Sequence, residues 1–529
     1  MNKVIFILSV FFLLHQASAQ PIQRPKLVVG IVVDQMRWDY LYRYSSRYAP
    51  DGGFNRLLNN GFSCENTIIP YTPTLTAPGH SSIYTGSVPA INGITGNDWW
   101  DYDLNKFIYC TTDEKTKTIG STTALGEMSP QNLMVTTIGD ELRLATNFQS
   151  KVIGIALKDR GAILPAGHSA NAAFWYDNKT GDWISSSYYV KELPQWTKDL
   201  NAQKLVDKYY TNDWKTLNPL NTYEQSAPDP SGFNHPLKQF ITKNYAYIVA
   251  TPFGNSFTFD MAKAAIAGEK LGAGNVTDML TVSLSSPDYI GHAYGPNSVE
   301  AEDGFLRLDK DLGDFITYLD NKVGKGEYLL FLTADHGAAH EPAFLKEHMI
   351  PAGHFQNEKV TYALDSILKV KTKLADLVIG IVNNQVFLDR KLYQGAGIKK
   401  DSIDAWVVNY MASQPGIYNA IPLESLNSAT LPSRIREQLS NGYYPKRSGD
   451  IQLIFQPHWI DSFEKGGTTH GSWNPYDSHI PLLWYGWKIQ RGKLNREVYM
   501  TDIAPTVSAL LHIQMPSGSI GHVIEDLIK

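Results

Sequence analysis

Aspartate and histidine recur along the chain where they could share one site: Asp34, the Asp288-x-x-x-His292 pair, the Asp335-His336 dipeptide and His470. Three carboxylates and three imidazoles form a hard-to-borderline oxygen and nitrogen ligand set. That set suits Zn²⁺, and two such ions need about this many ligands. Two ions ~4 Å apart can clamp the attacking and leaving oxygens of an in-line displacement. A nucleophile candidate lies in Tyr71-Thr-Pro-Thr-Leu-Thr76-Ala-Pro-Gly-His-Ser-Ser-Ile-Tyr-Thr-Gly86. Ala77-Pro78 reads as the first turn of a short helix, where the missing proline N–H bonds nothing. Thr76 is then expected at the N-cap, with its hydroxyl over free N–H groups and the positive helix end. A threonine hydroxyl attacks only once its pKa is lowered, which a nearby metal could do. Thr74 is the rival position.

Two cations and one amide could hold an anion beside that hydroxyl. Lys158-Asp159-Arg160 is expected to end a strand, with both cations on one side, since alternate residues of an extended segment face alike. Arginine grips phosphate in a bidentate fork while lysine acts as a point charge. Asn97, in Gly93-Ile-Thr-Gly-Asn-Asp-Trp-Trp100, offers a neutral donor from a Gly-rich loop. Each piece alone has a plainer reading. Asp34 and Thr76 could be capping residues, Asp335-His336-Gly337 a turn, His292 a surface residue, Lys158–Arg160 a solvated turn and Asn97 a turn former. The joint pattern outweighs these readings, because the ligands converge on one edge of one predicted sheet.

That edge follows from the apolar runs. Leu27–Val33 ends at Asp34, and the run 152–157 ends at Lys158 and Arg160. The run 280–284 leads to Asp288 and His292, 328–332 passes through Thr333-Ala334 into Asp335-His336, and 480–485 follows shortly after His470. Such runs suit strands buried on both faces, as in a parallel sheet. Between them Val299, Phe305, Leu308, Leu312, Phe315, Ile316 and Leu319 keep helical spacing behind an Asn297/Ser298 cap. The expected fold is α/β, a doubly wound, mostly parallel sheet sandwiched by helices, with ligands outside the carboxyl ends of its strands. Two stretches break the rhythm. Residues 161–275 are rich in Trp, Tyr, Asn and Lys, with a hairpin turn expected at 178–181. Residues 341–465 hold mixed helices and a second hairpin near Asn383-Asn384. Both are expected as insertions, two cap subdomains over the strand ends.

Length and composition bound the rest. Without the first 19 of its 529 residues the chain has 510, which at ~150 residues per domain suggest three or four units. Ligands running from Asp34 to His470 instead require one catalytic domain over 20–529. Residues 1–19 read as a cleavable signal peptide, with a charged start, a short apolar run and Ala17-Ser18-Ala19 at its end. A periplasmic or secreted protein is therefore expected. No later segment has ~18 uncharged apolar residues in a row, so no membrane span is expected. Net charge is −5 without a basic run, which argues against nucleic acid as a partner. The two cysteines, Cys64 and Cys110, exclude a disulfide scaffold and a cysteine zinc site but leave their own pairing open.

The motifs around Asp34, Thr76, Asn97, Lys158-Asp-Arg160, Asp288-Tyr-Ile-Gly-His292, Ala-Asp335-His336-Gly and Gly-Thr-Thr-His470-Gly resemble the alkaline phosphatase superfamily. More closely they resemble its threonine-dependent monoesterase branch, the PafA-type periplasmic alkaline phosphatases, over essentially the whole mature chain. The resemblance implies two zinc ions per chain. One would be held by Asp288, His292 and His470, and the other by Asp34, Asp335 and His336, with Thr76 as an exchangeable oxygen ligand. It further implies attack by Thr76 on phosphorus, a phosphothreonine that is then hydrolysed, and Asn97, Lys158 and Arg160 on the non-bridging phosphoryl oxygens. Small-molecule phosphate monoesters are the expected substrates and a monomer the expected state. No ligand set for a third, magnesium-type site is assignable. The nearest alternative is the phosphodiesterase and nucleotide pyrophosphatase branch, from which two cations over the non-bridging oxygens divide it, a monoester carrying one more negative charge than a diester. A sulfatase would need Cys64 or Cys110 in a C-x-P-x-R setting, which neither has. A carbohydrate-binding module would need no convergent Asp/His set.

Overall fold

A computed structural model describes residues 22–224, 226, 232–461 and 467–528. The expected signal peptide lies outside the described residues. The central sheet contains β1 (Leu27–Val33), β2 (Phe62–Ile68), β3 (Val152–Ala156), β4 (Ala172–Asp177), β5 (Asp182–Ser186), β6 (Asp278–Leu284), β7 (Tyr328–Thr333) and β8 (His479–Gly486), with three short strands at its margins. The spatial order of these eight is β2-β8-β7-β1-β6-β3-β4-β5. The run from β7 to β4 is parallel. β1, β3, β4, β6 and β7 are buried at every position, which is why their sequences are mostly apolar, with a few small polar residues in β6, rather than alternations. β8 runs antiparallel to both β7 and β2.

Register decides where the chemistry gathers. Val33 is level with Leu284, Val32 with Thr333, and Ala156 with Ser283. Asp34, Asp335, Lys158 and the turn into Asp288 therefore leave the sheet at one edge. Because β8 is antiparallel, it starts at that same edge, pairing Leu482 with Thr333, and the loop carrying His470 precedes it.

Four helices position the site: α1 (Thr76–Thr85), α2 (Asp159–Ala166), α3 (Ser286–Tyr294) and α4 (Val299–Leu319). In α4 the seven apolar positions predicted from spacing are all buried, and the Ser298 side chain caps the helix by accepting the Ala301 N–H.

The two irregular stretches differ from each other. The hairpin expected at 178–181 forms, with Asp177 opposite Asp182. Its strands β4 and β5, however, extend the central sheet instead of capping it, and Phe174, Tyr176, Trp183 and Trp214 join the main core. Much of the aromatic richness of 161–275 is packing: Trp175, Trp183 and Trp214 are all within 1% of full burial. The segment 341–465, by contrast, builds its own antiparallel sheet from Val378–Val382, Gln385–Leu388, Ile451–Phe455 and Ile417–Pro422. Helices Asn357–Thr372 and Lys400–Ala412 complete a separate core there. The expected hairpin turns at Asn383 and Asn384, both left-handed with φ of 56° and 59°. Cys64 and Cys110 are buried free thiols in different clusters. Among the described residues no helix is long and apolar enough to cross a membrane.

Candidate active site

The strand ends bring all six predicted ligands together. Asp34 follows β1 directly, its N–H donating to Leu284 O at 3.1 Å. Asp288 and His292 sit one turn apart on α3, with His292 Nε2 3.1 Å from Asp288 Oδ1. His470 Nε2 lies 3.7 Å from that same oxygen. His336 Nε2 is 3.5 Å from both Asp34 Oδ1 and Asp335 Oδ2. The His336 and His470 rings stack with centroids 3.5 Å apart, joining the two halves. Ligand atoms of Asp34, Asp335 and His336 lie within 4.8 Å of one another, as do those of Asp288, His336 and His470. His336 thus belongs to both groups, while His292 stands just outside the tighter one.

Backbone carbonyls aim the imidazoles. Nδ1 of His292 lies 2.8 Å from Thr468 O, that of His336 2.9 Å from Gly337 O, and that of His470 2.7 Å from Thr74 O. A ring donating from Nδ1 presents a basic Nε2, the arrangement that metal-ligating histidines require. Burial, then the neighbouring His336 and His292, hold the His470 pKa well below the usual range, which keeps it neutral. Burial and the adjacent Asp335 push Asp34 upward. For Asp288, burial acts upward, but His292 and Lys158 outweigh it and hold the carboxylate ionised. Asp34 Oδ1, Asp335 Oδ2 and His336 Nε2 are buried yet form no hydrogen bond. Three orphaned donor atoms of a hard-to-borderline set at one place fit a bound zinc-like dication.

Lys158 crosses between the halves, its Nζ 2.7 Å from Asp34 Oδ2 and 2.5 Å from Asp288 Oδ2. The strand end carrying it differs from expectation. Lys158 occupies the N-cap position of α2, so Arg160 lies in the first helical turn and not two residues along an extended strand. The helix starts early because the Asp159 carboxylate favours its first turn. Arg160 donates from Nη1 to Tyr109 Oη at 3.1 Å, and Tyr109 donates in turn to Asp159 Oδ1 at 2.8 Å. Arg160 Nε is buried without a hydrogen bond.

Thr76 is buried at the start of α1. It is the first helical residue, and Leu75 holds the N-cap position in extended conformation, one residue earlier than expected. Pro78 tolerates this shift because the first four N–H groups of a helix lack intrahelical partners in any case. Gly79 lets α1 approach Asp335 closely, since a Cβ there would stand 2.5 Å from Asp335 O. The rival Thr74 commits its hydroxyl proton to Ser472 O at 3.1 Å. Asn97 Oδ1 accepts the Ala77 N–H at 3.0 Å, placing the Gly-rich loop against the α1 N-terminus.

Three residues escaped the sequence reading. Gln35, left-handed with φ 64°, donates its side chain to Asp288 Oδ1 at 2.5 Å and its backbone N–H to Asp335 Oδ1 at 3.1 Å. His80, one turn after Thr76, places Nδ1 2.9 Å from Thr76 O and Nε2 2.8 Å from Ser283 Oγ. Tyr109 holds Arg160. The i,i+4 spacing from Thr76 was a usable signal for His80; nothing local marks the other two.

The family model for type I phosphodiesterase / nucleotide pyrophosphatase matches residues 28–477. Alkaline phosphatase PhoV of Synechococcus elongatus is 53% identical over 541 residues, covering 97% of this chain and 96% of that protein. Alkaline phosphatase PafA of Elizabethkingia meningoseptica is 47% identical over 536 residues, covering 99% and 98%. The crystal structure of wild-type alkaline phosphatase PafA matches with a TM-score of 0.94 at 47% identity, covering 96% of this chain and all of that one. With this likeness along its whole length and an Asp/His cluster at the sheet edge, the chain belongs to the alkaline phosphatase superfamily, among its PafA-type alkaline phosphatases.

Proposed function

We propose that this phosphate monoester hydrolase works through a phosphothreonine formed on Thr76, at a centre for two zinc ions. The observation that carries the reading is the trio of buried atoms without a hydrogen bond on Asp34, Asp335 and His336, with the α1 N-terminus packed on Asp335 through Gly79. Asp288, His292 and His470 would hold one ion, and Asp34, Asp335 and His336 the other, with the Thr76 hydroxyl as an exchangeable ligand. Bound zinc supplies Lewis-acid charge, lowering a hydroxyl pKa and offsetting charge on the attacking and leaving oxygens.

The chain's own groups do the rest. Thr76 Oγ forms a bond to phosphorus as the ester P–O bond breaks and the alcohol departs. Water then attacks phosphorus, releasing inorganic phosphate and restoring the hydroxyl. Asn97, oriented by its bond to Ala77, and the cations Lys158 and Arg160 hold the non-bridging oxygens, where phosphoryl transfer needs charge stabilisation and positioning. Residues 20–529 act as one catalytic unit with 341–465 inserted, and a monomer contains every group named. The signal-like composition of residues 1–19 supports a periplasmic or secreted location.

A diesterase reading has the matched family model in its favour. The two cations favour the monoester, with its additional negative charge. The test compares kcat/KM for a phosphate monoester, a diester and a sulfate ester, before and after chelation. The monoester should dominate and be lost with the metal; a preference for the diester would reverse the assignment.

A further inference from the structure

The turn Asn383-Asn384 joins two strands of the 341–465 sheet and ends between two loops of the active site. Asn383 donates from Nδ2 to Asp98 O at 2.7 Å, one residue beyond Asn97. Gly96 makes room for that amide, since a Cβ there would stand 2.2 Å from it. Asn384 donates from Nδ2 to Gly471 O at 3.1 Å, one residue beyond His470. Gly471 itself is left-handed, at φ 110°. The turn is anchored behind: the Asn384 carbonyl accepts the Leu453 N–H at 2.8 Å and Gln452 Nε2 at 3.0 Å. Two adjacent side chains on one turn therefore each hold a loop, one carrying Asn97 and the other His470.

A plain turn explanation exists, because asparagine tolerates the left-handed conformation that a two-residue hairpin turn demands. It accounts for the backbone but not for two side-chain amides that each donate to an active-site loop.

We propose that Asn383 and Asn384 are positioning residues, Asn383 for Asn97 and Asn384 for His470, so that the inserted sheet sets the placement of both halves of the site. The inference rests on Asn97 binding phosphoryl oxygen and His470 binding zinc.

Glycine separates the two explanations, because it keeps a left-handed turn while deleting the amide. In the zinc-loaded enzyme, Asn383→Gly should weaken competitive inhibition by inorganic phosphate about three- to tenfold, the worth of one net hydrogen bond. Its zinc content should be unchanged. Asn384→Gly should speed zinc transfer to a chromogenic chelator by a similar factor, with the smaller effect on phosphate. Asn383→Asp and Asn384→Asp, which also tolerate the turn and lack the donor, should reproduce each pattern and stand in for any glycine variant that fails to fold. Wild-type phosphate inhibition and zinc release in these variants, or a lowered Tm without either change, would overturn the proposal. Asn97→Ala is the control for the underlying reading. If it leaves phosphate inhibition untouched, the role of Asn97 itself fails and the Asn383 half of the proposal falls with it. If Asn97→Ala weakens inhibition and Asn383→Gly does not, only the positioning role fails.

Discussion

The side-chain carbonyl of Asn97 accepts the backbone N–H of Ala77, the second residue of the helix that Thr76 begins. An amide has its two donors at one end and its acceptor at the other, so this bond fixes which end is free to donate. It also consumes one of the unpaired N–H groups at the helix start without adding charge there. Asn97→Ala should lower monoester kcat/KM about 10²-fold, the usual cost of removing one preorganised donor. Asn97→Asp keeps the acceptor for Ala77 but loses both donors, and should be at least as impaired. Near-wild-type activity in Asn97→Asp would reduce Asn97 to a helix cap.

Arg160 and Lys158 should act differently despite their proximity. Arg160→Ala removes a fork held by Tyr109, and should cut monoester kcat/KM by about 10²- to 10³-fold and diester kcat/KM by much less. Tyr109→Phe leaves the cation but frees it, and should give a smaller loss in the same direction. Equal losses on both substrates would contradict the assignment of Arg160 to the additional monoester charge.

Lys158 also neutralises Asp34 and Asp288, and burial opposing its charge is outweighed by these two carboxylates, which hold its pKa above the ordinary range. Removing one partner of a buried ion pair costs about 3–5 kcal/mol because the other charges are left uncompensated. Lys158→Ala should therefore destabilise the chelated protein more than the zinc-loaded protein, read as two Tm differences. The reverse order would show that Lys158 does not balance the ligand carboxylates.

Removing metal should abolish activity and lower Tm together, since a ligand bound only by the folded state adds about 4 kcal/mol at a thousand times its Kd. Zinc should restore both. Asp335→Asn keeps the shape of a ligand but not its charge, and should bind zinc more weakly and gain less Tm on reloading. Undiminished activity in chelated, dialysed enzyme would dismiss the metal centre.

Asp140 gives a pH signature of its own, apart from the metal-ligand set. Burial acts to raise its pKa, but bonds from His168 and from the N–H groups of Thr137 and Ser169 outweigh it, lowering the value from 3.8 to about 2. A depressed carboxyl contributes stability that is present above 3.8 and lost as pH falls towards about 2. Asp140→Asn should thus cost up to about 2 kcal/mol near neutrality, with the gap to wild type closing below pH ~4. A gap that stays constant down to pH ~2 would mean that capping geometry, and not charge, accounts for the loss.

What the sequence discloses follows from which features are local. A strand buried on both faces is mostly apolar, so Leu27–Val33 and its parallel neighbours are visible as runs. Parallel order then gathers the residues at their carboxyl ends, which made Asp34, Asp288 and Asp335 legible as one site. Boundaries one residue wide are not legible in this way: Thr76 falls inside its helix, and Arg160 lies on a helix where an extended strand end was expected. The segment 161–275 breaks the strand–helix rhythm and so reads as a cap, but an aromatic-rich hairpin can extend a sheet as readily as cover one, and Trp183 proves to be core. Gln35 and Tyr109 were invisible because their roles are relations. Gln35 meets Asp288 across 253 residues of chain, and only the folded sheet brings them together.

The proposed mechanism turns on Thr76 carrying the phosphoryl group during turnover. Acid quenching of the zinc-loaded enzyme while it turns over a phosphate monoester, followed by peptide mass spectrometry, tests this directly. One phosphorylated residue, Thr76, is expected, with Thr76→Ala leaving none and losing turnover. Phosphate trapped on Thr74, or a Thr76→Ala enzyme that keeps wild-type turnover, would contradict it.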